Sequence, residues 1–190
     1  MKLGLIRHFK VDLKPQRTWL TGEEFNQWLQ EYELAPIQAP EHELGGQRWT
    51  LCLCSDQARA VHTASYFEAQ RFVYTELLRE ISVTALRLGR IRLSRLRLPV
   101  SFWLILGRLF WSVGHSSQPE SQAAVLRRAD RVIDSLLVDN EAAAQEGCVL
   151  IVSHGAFMKV LDRRLRRRGY EADRMLYPRN GQLFMYEMKE

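Results

Sequence analysis

Residues 148–155 read Cys148-Val149-Leu150-Ile151-Val152-Ser153-His154-Gly155. The apolar run 148–152 predicts a strand, which the polar triplet Ser153-His154-Gly155 ends. Residues 156–168 then place Phe157, Val160, Leu161 and Leu165 at helical spacing, so a helix follows the strand at once. The same unit recurs upstream. Residues 2–6 predict a short buried strand that closes in Arg7-His8. Residues 49–54 predict a second strand that closes in Ser55-Asp56 and leads through Arg59 into a helix over 59–70.

The other segments fit the same plan. Thr21 and Glu24 form a capping-box pattern for a helix over 21–34, whose Phe25, Trp28, Leu29 and Tyr32 recur at helical spacing. Residues 72–75 predict a third strand. Residues 122–144 predict a helix with Val125, Ala129, Val132, Ile133, Leu136 and Leu137 on one face. Residues 182–188 alternate and predict a last strand. Strands alternating with helices through short connections predict an α/β fold, a three-layer α/β/α sandwich with a mostly parallel central sheet and helices on both faces. In such sheets ligands collect where strands end and the loops to helices begin.

A length of 190 residues with 46% hydrophobic content suits one domain, 1–190, with one substantial core. No linker, repeat or low-complexity segment is evident. The apolar start, residues 1–6, is too short for a signal peptide core and meets Arg7-His8 directly. The longest apolar stretch, residues 98–113, is broken by Arg108 and falls short of the roughly 20 residues a spanning helix needs. A cytoplasmic location is expected. Cys52, Cys54 and Cys148 lie in apolar runs and read as buried thiols, and Cys-x-Cys alone is weak grounds for zinc. A net charge of +5 and a pI near 9.3 favour anionic partners, with phosphorylated small molecules, nucleic acid and anionic lipid all open.

Three predicted strand ends therefore carry Arg7-His8, Ser55-Asp56 with Arg59, and Ser153-His154-Gly155. If the strands are neighbours, two histidines and two arginines meet at one sheet edge. A neutral imidazole is a nucleophile near neutral pH. Two guanidiniums can clamp a dianionic phosphate through forked hydrogen bonds, and a second imidazole can donate to developing negative charge.

These residues resemble the histidine phosphatase superfamily, also called phosphoglycerate mutase-like. Leu5-Ile6-Arg7-His8 resembles its opening motif. Ser55 to Ala64, with Arg59-Ala60 and Thr63-Ala64 in place, resembles its Ser-x-x-x-Arg-Ala-x-Gln-Thr-Ala segment. Leu78-Arg79-Glu80 resembles the segment that brings the proton donor, Glu120-Ser121 a further common pattern, and 149–155 the second-histidine motif. The resemblance implies a phosphoglycerate mutase-like fold and a metal-independent, cofactor-free phosphomonoester hydrolase of the histidine acid type. His8 would become phosphohistidine. Arg7, Arg59 and His154 would hold the phosphoryl oxygens, with Ser55 and Gly155 at the phosphate or substrate; Lys10, outside the family pattern, reads as either a contact to an anionic substrate or an exposed lysine. Glu80 would protonate the leaving oxygen, with Glu76 its nearby competitor, since Gly155 occupies the place where another branch carries an Asp donor. A phosphoglycerate mutase-type phosphotransferase and a catalytically weak binding or scaffold member are the alternatives.

The sequence departs from that pattern at several places. Phe9 replaces the usual Gly, which is expected to narrow the pocket or shift the loop; the usual Asn shortly after has no counterpart in 11–14; and His62 replaces a Gln. Residues 82–117 stand where the family has a variable lid. Arg87, Arg90, Arg92, Arg95 and Arg97 are interleaved there with apolar residues, followed by Phe102, Trp103, Leu104, Ile105, Leu106, Leu109, Phe110 and Trp111. A helical hairpin packed on its own domain is one reading of this lid. Binding an anionic, greasy substrate, peripheral membrane contact and a homodimer contact are the others. Arg163, Arg164, Arg166, Arg167 and Arg168 form a second basic run, read as a solvated helix end that complements the dipole. No aromatic-rich motif supports nucleic acid as a partner. The expected partner is a phosphorylated small molecule, with a phosphopeptide open.

Overall fold

The computed structural model describes residues 2–14, 17–40, 46–85, 96–138 and 147–189. In chain order the elements are β1 (Lys2–Arg7), β2 (Trp19–Leu20), α1 (Gly22–Leu34), β3 (Trp49–Ser55), α2 (Ala58–Ala64), β4 (Ala69–Thr75), a short 3-10 turn (Glu76–Leu78), β5 (Leu98–Pro99), α3 (Val100–Ser112), α4 (Gln122–Val138), β6 (Cys148–Ser153), α5 (Gly155–Arg167), β7 (Tyr170–Glu171) and β8 (Leu183–Met188). The central sheet has the order β4-β3-β6-β1-β8-β7. β4, β3, β6 and β1 run parallel, while at one side β8 pairs antiparallel with β1 and β7 antiparallel with β8, so β8 runs against the rest. The fold is the expected α/β architecture with a mostly parallel sheet.

Alternation along the strands builds the layers. Leu3, Leu5, Leu51, Leu53, Val149 and Ile151 face one way and pack with Val125, Ala129, Val132 and Ile133 of α4 and Phe157, Leu161 and Leu165 of α5. Ile6, Cys52, Cys54, Leu150 and Val152 face the other way and pack with Ala60 and Ala64 of α2. Both faces are thus apolar, as parallel strands covered by helices require. Cys52 and Cys54 are buried free thiols, and burial pushes the Cys52 thiol up to about 12. The capping box at Thr21 and Glu24 forms, with Glu24 N to Thr21 Oγ1 at 3.2 Å and Thr21 N to Glu24 Oε2 at 2.8 Å.

Parallel register decides where the chemistry sits. Arg7 pairs opposite Ser153, and Cys54 opposite Val152. The residues that follow, His8, His154 and Ser55, therefore leave three adjacent strands at one edge.

One expectation changes. The helix expected over 59–70 stops at Ala64. Ser65 Oγ donates to the His62 carbonyl at 2.8 Å, and Ala69 is taken into β4 opposite Trp49, so sheet pairing outcompetes helical continuation. The lid carries one helix, α3, among its described residues, and the second arm of the hairpin reading falls on residues outside them. Leu86, Arg87, Leu88, Arg90, Ile91, Arg92, Leu93 and Arg95 lie outside the described residues, as do the side chains of Leu136 and Leu137 and the expected helix beyond Val138. Helix α3 docks on α1 through Trp103, which stacks on Phe25 at 5.9 Å and donates from Nε1 to the Leu20 carbonyl at 2.8 Å. Phe102, Ile105, Leu109 and Val113 remain exposed. Among the described residues no helix is long and apolar enough to cross a membrane.

Candidate active site

His8 follows β1 and is 2% exposed. Its Nδ1 lies 2.7 Å from the Phe9 carbonyl oxygen. A carbonyl only accepts, so Nδ1 carries the proton and Nε2 keeps a free lone pair. Burial, then the positive charges of Arg59 and Arg7, lower the His8 pKa to about 3 against the opposing pull of the Phe9 hydrogen bond. The imidazole is neutral at neutral pH and its exposed electron pair belongs to Nε2.

Arg7 and Arg59 flank it. Arg7 Nη1 donates to the Pro178 carbonyl at 2.9 Å, which anchors the side chain, while its buried Nε has no partner among the described residues. Arg59 starts α2, is 3% exposed, and donates from Nη2 to Gln57 Oε1 at 2.8 Å and from Nε to His154 Nδ1 at 3.2 Å. Its buried Nη1 also has no partner among the described residues. Buried guanidinium N–H groups left unpaired cost free energy, and an anion is the ligand that relieves them. Arg7, His8, Arg59 and Glu80 line one cleft of about 1140 Å³.

His154 and Ser55 sit behind that wall. Because Arg59 Nε must donate, His154 Nδ1 accepts, and its Nε2–H donates to Ser55 Oγ at 2.9 Å. Burial first, then Arg59, drives the His154 pKa well below the usual value. Its ring centroid lies 5.0 Å from that of His8. The structure thus brings His154 and Ser55 to Arg59, with both imidazole nitrogens engaged.

Glu80 is in the cleft wall at the start of α5. Its Oε1 accepts from Phe157 N at 3.0 Å and Ile81 N at 2.8 Å, and its Oε2 from Ala156 N at 3.1 Å. Arg108 of α3 reaches the same carboxylate at 3.4 Å and the Ile81 carbonyl at 2.7 Å. Glu76 instead points outward, 75% exposed, 3.9 Å from Arg79, and Arg79 itself is held by Asp56. Lys10 is exposed and outside the cleft lining. Gly155 serves by what it lacks: a Cβ there would lie 3.2 Å from Cζ and Nε of Arg7. Among the described residues no group of three His, Cys, Asp or Glu side chains could hold a metal ion.

The model of the histidine phosphatase superfamily, branch 1, matches residues 3–190. The chain belongs to this superfamily. Solved structures with the same fold include one from Escherichia coli K-12, provisionally described as an alpha-ribazole-5'-P phosphatase, at 21% identity over 87% of this chain and 79% of that one with a TM-score of 0.54. A mycobacterial glucosyl-3-phosphoglycerate phosphatase matches at 19% identity over 87% and 79% of the two chains, TM-score 0.50. A structure titled mycobacterial hydrolase 1 matches at 16% over 100% and 96%, TM-score 0.56. No curated protein sequence matches.

The cleft is braced by residues that the strand-end pattern does not flag. Asn180 Nδ2 donates to the His8 carbonyl at 2.9 Å and the Phe9 carbonyl at 3.3 Å, bracing His8 from the loop before β8. Gln57 links Arg59 to the Glu80 amide, 3.4 Å away. Nothing in a lone Asn or Gln marks these roles in the sequence. Phe9 corrects an expectation: its side chain does not narrow the cleft. It is 4% exposed and turns into the core, 5.4 Å from the Tyr66 ring and 6.5 Å from Phe67, with its backbone N donating to Thr63 Oγ1 at 2.9 Å. Among the described residues no side-chain-bearing residue has positive φ, so the backbone at Phe9 makes no demand for glycine. Room is supplied opposite, where Gly181 (φ +73°) would bring a Cβ 3.0 Å from the Phe9 ring. His62 is exposed on α2, away from the cleft lining.

Proposed function

We propose that the protein is a phosphomonoesterase that works through a phosphohistidine on Nε2 of His8. One observation carries this reading: two buried guanidinium N–H groups, Arg7 Nε and Arg59 Nη1, lack partners among the described residues, in a cleft also lined by a neutral imidazole whose Nδ1 is held by the Phe9 carbonyl.

The substrate phosphoryl group takes the orphaned donors. Nε2 attacks phosphorus as the P–O bond to the leaving group breaks, and the departing oxygen takes a proton from Glu80. The phosphohistidine is then opened by water, which gives its proton to Glu80 and its oxygen to phosphorus, restoring His8 and releasing inorganic phosphate. Positioning and charge stabilisation dominate such transfers, and the two arginines supply positive charge where other phosphatases use metal ions, so the reaction proposed needs no metal or cofactor. Nδ1–H stays on the Phe9 carbonyl throughout, which favours the cation formed when Nε2 is phosphorylated. His154 and Ser55 hold Arg59 from behind. The substrate is a phosphorylated small molecule.

The test is turnover of p-nitrophenyl phosphate by wild type and His8→Ala from acidic to neutral pH. Turnover that the substitution abolishes is expected. Wild-type inactivity over the whole range, or full activity in His8→Ala, rejects the proposal.

A further inference from the structure

Helix α5 leaves the phosphate site at Gly155, against which the Arg7 guanidinium lies. From there, Lys159, Arg163 and Arg167 follow at intervals of four residues, and all three line the cleft. Four residues advance a helix by about 6 Å, so the three cations stand about 6, 12 and 18 Å along α5 from Gly155. The basic run is divided by its partners. Arg164 pairs with Asp130 at 2.6 Å, Arg166 with Asp162 at 2.8 Å and Arg168 with Asp134 at 2.7 Å. Arg163 and Arg167 are exposed and have no ion-pair or hydrogen-bond partner among the described residues. Lys159 lies over the Tyr177 ring at 5.3 Å, next to the Pro178 carbonyl that anchors Arg7. The carboxylates of the cleft do not neutralise this row: Glu33 is engaged by Gln57 at 3.3 Å, and Glu80 by the α5 amides and Arg108.

A helix-end dipole does not require this arrangement, since it would be served equally by cations on any face. Of the α5 cations that line the cleft, Arg164 is taken by Asp130, while Lys159, Arg163 and Arg167 have no acidic partner among the described residues and form a row that starts at Gly155. We propose that Lys159, Arg163 and Arg167 form a second anionic subsite, which selects phosphomonoesters carrying a further phosphate or carboxylate about 6 to 12 Å from the ester that is cleaved. The proposal rests on the phosphomonoesterase reading and narrows its substrate class to elongated dianionic esters.

The experiment compares the full chain with the double variant Arg163→Gln/Arg167→Gln. The ratio of kcat/KM for an alkane α,ω-bisphosphate to that for the alkyl monophosphate of equal length is measured for the propane, hexane and octane compounds. Wild type should prefer the hexane and octane bisphosphates, and the double variant should lose about tenfold of that preference, the scale expected of two solvent-exposed charge contacts. An unchanged ratio overturns the proposal. Calorimetry of the same compounds with His8→Ala, alone and with the two Arg→Gln changes, reads the subsite without turnover. If no monoester is hydrolysed, the phosphomonoesterase reading fails, while tighter bisphosphate binding that the Arg→Gln changes remove still upholds the subsite. Equal affinity for mono- and bisphosphates, with Arg163- and Arg167-dependent binding only to anionic phospholipid vesicles, overturns it in favour of a bilayer surface.

Discussion

Acidification from about pH 7.5 to about pH 4.5 protonates a histidine in an unfolded chain but not His8 in the folded one. The folded pKa is lowered to about 3 from the usual 6.5, so below 6.5 the unfolded state takes up a proton that the native state refuses. The sign is therefore a loss of stability as pH falls through 6.5, complete only near 3. At about 1.4 kcal/mol per pH unit the whole interval is worth about 5 kcal/mol, and the part above pH 4.5 about 3 kcal/mol. Asp56, held low by the hydrogen bond and charge of Arg79, adds a loss of the same sign at lower pH, so the His8 share must be isolated by difference. Urea unfolding of wild type and His8→Asn over this range should show stability curves that converge toward low pH, wild type losing about 3 kcal/mol more. Parallel curves would refute the reasoning, because they would mean that folded His8 titrates like a free imidazole and is not held as a neutral nucleophile.

Further consequences concern the same wall. In Gly155→Ala the new Cβ meets the Arg7 guanidinium at 3.2 Å, so kcat/KM on p-nitrophenyl phosphate should drop roughly tenfold with thermal stability little changed; a larger fall in melting temperature than in activity would show the contact to be structural. Glu80→Gln should abolish turnover of alkyl phosphates and spare p-nitrophenyl phosphate, whose leaving group needs little protonation; equal turnover of both substrates by mutant and wild type removes Glu80 from the reaction. Inorganic phosphate at a hundred times its dissociation constant should stabilise wild type by about 2.7 kcal/mol, and Arg59→Gln should lose most of that gain in thermal unfolding. Phe9→Ala, which empties a packed site between Tyr66, Phe67 and Gly181, should cost about 3–5 kcal/mol in chemical denaturation.

The sheet was readable because its strands are short, apolar and followed at once by polar residues of one chemical kind. The three strand ends at His8, Ser55 and His154 meet because parallel register aligns them, and that register is not displayed by the uniformly apolar runs Leu3-Gly4-Leu5-Ile6 and Val149-Leu150-Ile151-Val152, which show only that both faces are covered. The end of α2 was not readable, since Ala64 to Gln70 holds no strong breaker and β4 competes for its last residues only in three dimensions. Asn180 was invisible for the same reason: it reaches His8 across 172 positions of sequence. Phe9 reads in the sequence as a bulky residue beside His8, while the Gly181 that makes space for it meets it only in three dimensions. In the basic run of α5, composition shows five arginines alike, while the partners Asp130, Asp134 and Asp162 separate the three that are paired from Arg163 and Arg167.

The central claim is that His8 carries the phosphoryl group between substrate and water. Rapid acid-free quenching of the enzyme during turnover of a ³²P-labelled monoester, followed by peptide mapping, tests it directly. The account predicts a base-stable, acid-labile label on the peptide that contains His8, absent from His8→Ala. Sustained turnover with no labelled histidine when phosphoenzyme breakdown is slowed, or label on another residue, would contradict it.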